Sequence, residues 1–138
     1  MKNIILLIFF LVNFQLSYSD IVIICHPKSP IKTISKDELK KIFTGRIKSI
    51  NGHRISPILF ENNQVEDLFL KNFINMSSSQ YKRHWAKMVF TGKAKKPKAY
   101  NNEKELISAI ESNIYHITFL NKESFSKYDE RVSQIVIH

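Results

Sequence analysis

Strands alternating with helices along this chain predict an α/β domain, a mainly parallel sheet flanked by helices. Three observations carry that prediction. Ile21 to Cys25 is wholly apolar, partly β-branched and without helical period. Capping signals at Ser35, at Asn62 or Asn63, at Ser77 and at Asn102 each precede apolar residues at helical spacing. Two further apolar or β-branched runs, Tyr115 to Phe119 and Val132 to Ile137, read as strands near the end of the chain.

In chain order, the run Ile21–Cys25 ends at Pro27 and reads as a strand buried on both faces, of the kind found in the middle of a parallel sheet. Pro27 and Pro30 force an extended connection. Ser35 with Glu38 forms a capping box, Leu39, Ile42 and Phe43 supply the apolar stripe, and Gly45 closes the helix in a left-handed turn. Asn51-Gly52 signals a turn, and Pro57 to Phe60 reads as the second strand.

Val65, Leu68, Phe69 and Phe73 then recur at helical spacing behind the asparagine cap. Ser77 to Ser79 opens a helix with Tyr81, Trp85 and Met88 on one face. An aromatic stripe at that spacing is a core face rather than a cofactor box. Asn102 and Glu105 cap a helix carrying Leu106, Ile107 and Ile110, and the segment from Lys122 to Arg131 reads as a surface loop with at most a short helical turn.

Residues 1–19 have the layout of a cleaved signal peptide: one cation at Lys2, an apolar stretch from Ile4 to Val12, and Ser17 and Ser19 ahead of Asp20. The stretch is short for a membrane span, and Cys25 lacks the small preceding residue that lipidation requires. Removing 19 of 138 residues leaves 119, enough for one domain over 20–138 and too few for two. Loss of Lys2 lowers the net charge from +9 to +8. Such a balance attracts anions, and export makes nucleic acid the least suitable of them. The lysines Lys93, Lys95, Lys96 and Lys98 around Pro97 read as a solvated loop without interleaved stacking rings. The single cysteine forms no internal disulfide and, within an apolar run, reads as a buried, inert thiol.

Catalytic and metal chemistry is not expected. The five histidines show no paired ligand spacing, so no metal site and no cofactor are assigned. Thr91-Gly92-Lys93 lacks the leading glycine of a phosphate loop, and there is no Gly-x-Ser-x-Gly elbow. Glu61, Glu66 and Asp67 read as acids at a helix start, offsetting its dipole.

Several segments together resemble the phosphate-type solute-binding proteins of ABC transporters. They are His26-Pro27-x-x-Pro30, Leu39-x-x-Ile42-Phe43-x-Gly45-x-Ile47, Trp85 to Gly92, and Tyr115 to Phe119. The resemblance spans residues 21 to 137 and implies one lobe of a periplasmic-binding-protein-like fold, an exported, non-enzymatic periplasmic protein, and phosphate or a related oxyanion as ligand. It also implies a membrane transporter or receptor as partner, with a homodimer as one source of a second wall.

In the family, an Arg-x-x-x-Ser-Gly-Thr segment at a strand end and helix start holds the anion through backbone N–H groups, hydroxyls and a bidentate guanidinium. Aligned on Phe69, this chain has Leu59 for the arginine and Asn63, Gln64 and Val65 for Ser-Gly-Thr. The expected anion-binding residues are therefore Asn62, Asn63 and Gln64, with Ser29 and Lys28 from a neighbouring loop. Thr118 stands where the family has a glycine. Loss of that glycine, and of the arginine, implies the other reading: a protein-interaction or sensory module of the same fold that has given up the small ligand.

Overall fold

Five residues without a polar side chain make β1 (Ile21–Cys25), with four of the five buried. The structure, a computed structural model, describes residues 21–138; the expected signal peptide lies outside them. A turn through His26–Pro30 leads to β2 (Thr33–Ile34) and α1 (Lys36–Phe43). The Ser35 hydroxyl accepts from the Glu38 amide and the Glu38 carboxylate accepts from the Ser35 amide, so the capping box is formed at both ends. Leu39, Ile42 and Phe43 are buried as their spacing predicts, and Gly45 follows at φ +76°.

A hairpin of β3 (Ser49–Ile50) and β4 (His53–Arg54) turns through Asn51 and Gly52, both at positive φ, as a two-residue primed turn requires. The expected strand over Pro57 to Phe60 divides into β5 (Ser56–Pro57) and β6 (Leu59–Phe60), which join different sheets. Next, α2 (Asn63–Phe69) runs into a π-helical turn, Leu70–Ile74. That turn adds a residue to the repeat, so Leu70 and Ile74 are fully buried while Phe73, expected on the inner stripe, is half-buried.

The remaining elements are α3 (Ser78–Phe90), β7 (Ala99–Tyr100), α4 (Glu103–Ser112), β8 (His116–Asn121), α5 (Lys122–Tyr128) and β9 (Ser133–Ile137). The segment expected to be a loop is thus mostly a helix. Asn121 caps it by accepting from the Ser124 amide, and Ser124 is buried with its hydroxyl donating to Glu103. A serine on the inner face leaves no apolar period to detect.

The main sheet has the order β2-β9-β1-β8-β5. Its centre is antiparallel: β1 runs against both β8 and β9, while the outer pairs β2·β9 and β5·β8 are parallel. The α/β class holds, but the sheet is mixed rather than mainly parallel. An unbroken apolar strand reports that both faces are covered, not which way its neighbours run.

The core is anchored by three rings from α1, α2 and β8. Phe69 and Phe119 stack with centroids 3.9 Å apart, and Phe43 meets Phe69 edge-on at 4.8 Å. All three are fully buried, each burial stabilising the fold by about 2–3 kcal/mol. Helix α3 closes the end of α1: the Tyr81 hydroxyl donates to Phe43 O at 2.6 Å, and His84 Nε2 lies 2.7 Å from Thr44 O. Those carbonyls have no partner within α1, so side chains one turn apart on α3 satisfy them.

Candidate functional site

Three helices begin at one end of the main sheet. Strands β6 and β7 run parallel with Phe60 opposite Tyr100, so Asn62 and Asn102 stand side by side as the caps of α2 and α4. Asn121, at the end of β8 and opposite Ile21, caps α5 at the same end. This is the strand-end crevice in which open α/β sheets bind ligands.

Each asparagine is already engaged. Asn62 Oδ1 accepts from the Val65 amide at 3.3 Å, Asn102 Oδ1 from Glu105 at 3.1 Å, and Asn121 Oδ1 from Ser124 at 2.7 Å. Asn63 and Gln64 are exposed in the first turn of α2, where their amides face solvent. Acids surround them: Glu61 precedes the cap, Glu66 and Asp67 follow it, and Glu103 and Glu105 open α4. Burial first, then the charges of Glu61 and Asp67, push the Glu66 carboxyl above its ordinary range, with Lys96 and Lys82 pulling the other way. The positive ends of the helices are thus matched by this chain's own carboxylates.

Ser29 and Lys28 are not part of this crevice. They follow Cys25, which pairs with Ile117, whereas the helix starts lie beyond the Ile21 and Asn121 end of the same strands. The separation is the length of β1, about 13 Å. Ser29 is buried and its Oγ accepts from the Ile31 amide at 3.2 Å, stabilising the turn; Lys28 is exposed. The expectation that the two loops share a crevice assumed that β1 runs with its neighbours, and the antiparallel register places them apart.

Thr118 fills the glycine position with a load of its own. It is fully buried and donates to Ile58 O at 2.8 Å, tying β8 to the link between β5 and β6. No described cluster of three or more His, Cys, Asp or Glu residues is placed to hold a metal ion. Cys25 is buried and burial pushes its thiol up, as expected of an inert cysteine.

A second concavity, missed in the sequence, lies beside α3. It has a volume of about 960 Å³ and runs between Gly45 and Trp85 on one side and Ser56 and Lys98 on the other. The lysines around Pro97 that read as a solvated loop form part of its wall. Their sequence signal was the charge density alone, without the stacking rings that usually mark a binding strip.

No family model matches the sequence, and no curated protein does so either. Solved structures share its fold. A Clostridium perfringens protein, named for the substrate-binding component of a phosphate ABC transporter and solved with bound phosphate, aligns with TM-score 0.63 at 18% identity, over 85% of this chain and 44% of its own. An ABC-type phosphate transport receptor from Vibrio cholerae aligns with TM-score 0.54 at 15% identity, over 85% and 45%. PstS from Borrelia burgdorferi gives 0.55 at 14% identity, over 86% and 47%. The chain spans under half the length of each, so it has the architecture of one lobe of these two-lobed proteins. No helix among the described residues is long and apolar enough to cross a membrane.

Proposed function

We propose that this chain is an exported, non-enzymatic one-lobe module of the phosphate-type solute-binding fold. It works beside an ABC-type transporter or receptor through contact with a protein rather than as a self-sufficient phosphate receptor. One observation carries this reading: the helix starts that would hold an oxyanion are capped by the chain's own asparagines and ringed by Glu61, Glu66, Glu103 and Glu105. A dianion placed there meets like charges, and with one lobe it has one wall, so its desolvation is uncompensated.

A second reading keeps the small ligand. The exposed first-turn residues Asn63 and Gln64, with a net charge of +8 once the expected signal peptide is removed (+9 less Lys2), favour phosphate or a related oxyanion at the start of α2, its second wall supplied by another copy of the chain. Calorimetric titration of the purified protein with phosphate and then sulfate at low salt, together with its mass in solution, separates the two. Silence with a monomer mass is the expected result. Saturable heat with a dimer mass, abolished by Asn63→Asp, overturns the first reading in favour of the second.

A further inference from the structure

We propose that the groove beside α3 docks an acidic, extended segment of a partner protein in which carboxylates alternate with aliphatic side chains; this rests on the protein-contact reading above and supplies the chemistry of the partner. The charge is one-sided. Lys48, Arg54, Lys93, Lys95, Lys96 and Lys98 line the groove, and among the described residues no aspartate or glutamate does. None of the six takes part in the described salt bridges, which join Lys41 to Asp37 and Arg131 to Glu111. Lys96 also acts on the Glu66 carboxyl of α2, pulling against the burial that raises it.

Beneath the cations the floor is apolar, with Ile47, Ile55 and the ring of Trp85 among its residues. Its lip continues the apolar character at Val89, which is 53% exposed. An open valine that continues the apolar floor of a basic cleft extends the surface a bound segment can cover. A volume of about 960 Å³ accommodates several side chains of a bound segment.

Shape and chemistry select a peptide. A bilayer is flat on this scale and would meet the rim without reaching the floor. A nucleic acid strand would need open rings for stacking, but Trp85 is buried and Tyr100 lies under the Lys98 ammonium, 5.1 Å from the ring centroid. An extended peptide points alternate side chains to opposite sides, so aliphatic residues reach the floor while carboxylates meet the lysines. Residues 1–19 of this chain contain no acid and do not match the wall.

The probe is a fluorescently labelled peptide alternating glutamate and leucine, followed by anisotropy, with emission of Trp85, the only tryptophan, reporting where it binds. Saturable binding that weakens as salt is raised and shifts the Trp85 emission is expected. The paired change Lys95→Glu with Lys96→Glu weakens it about tenfold or more, and Val89→Ser weakens it without changing its salt dependence. Both sites are solvent-facing, and unaltered circular dichroism checks the fold. Binding that survives the charge reversal, or that leaves Trp85 unmoved, overturns the assignment. So does a silent peptide, as does preference for phosphatidylglycerol vesicles, single-stranded DNA or a second copy of the chain. Phosphate titration is scored separately, so a bound oxyanion overturns the protein-contact reading while a silent peptide overturns only the groove.

Discussion

Replacing Gly45 by alanine tests the packing that joins α1 to α3. Gly45 sits at φ +76°, where an L side chain is strained, and an added Cβ would lie 2.7 Å from Cη2 of Trp85, 3.3 Å from the Ala94 Cβ and 3.5 Å from the Met88 Cε. The left-handed backbone costs an alanine about 1–2 kcal/mol. The contact with Trp85 adds about 1–3 kcal/mol, because the indole is 2% exposed and held edge-on by Tyr81 and His84, so it tilts only by disturbing the core. The total, about 2–5 kcal/mol, is a large part of the roughly 5–15 kcal/mol available to a domain. Gly52→Ala is the matched control: φ is +78° there, but nothing among the described residues lies within 4 Å of the new Cβ, so only the backbone cost remains, about 1–2 kcal/mol. Urea unfolding followed by circular dichroism reads both, with the Gly45→Ala midpoint lower than wild type by about 1–2.5 M for a slope near 2 kcal/mol/M. Equal losses in the two variants would refute the reasoning, since the Trp85 contact would then contribute nothing.

Thr118→Val removes the hydroxyl that ties β8 to Ile58 O and is expected to lower unfolding stability by about 1–2 kcal/mol with an unchanged denaturant slope; no loss would mean that the buried bond contributes nothing net. Glu66 has a folded pKa raised above its unfolded value by burial and by Glu61 and Asp67, so the folded state binds more protons and stability falls as pH rises from about 4.5, the ordinary value of a free glutamate, through the folded pKa. Glu66→Gln should therefore raise Tm at neutral pH, with the gain vanishing in acid below the unfolded pKa; a gain that persists there would point to packing instead. Cys25, buried and with its thiol pushed up, should react with a thiol reagent only as fast as the protein opens, so labelling in native buffer at the rate of a free thiol would contradict its placement.

Local chemistry was legible wherever the reason for an element lay within a few residues of it. The box at Ser35, the helix start at Ser77, the asparagine caps, resolved to Asn62 and Asn102, the turn at Asn51-Gly52 and the buried stripe of α1 are all statements about neighbours, and the structure contains them. Helix α5 was missed because its inner face carries Ser124, whose burial depends on Glu103 from another helix. The π-helical turn was missed for a related reason: its inserted residue is stabilised by burial of Leu70 and Ile74, which follows from packing rather than propensity.

The site divides in the same way. Residue types alone show that the helix starts are acidic and the chain is basic overall, and the resemblance to the phosphate binders implies that Leu59 and Thr118 stand where their arginine and glycine would be. Only the tertiary structure decided that Ser29 lies at the far end of β1 from Asn62, and that lysines distant in sequence face one groove over Trp85. The physical reason is that strand direction is set by pairing between segments far apart in the chain. Reversing one central strand leaves every local pattern intact and exchanges which loops meet.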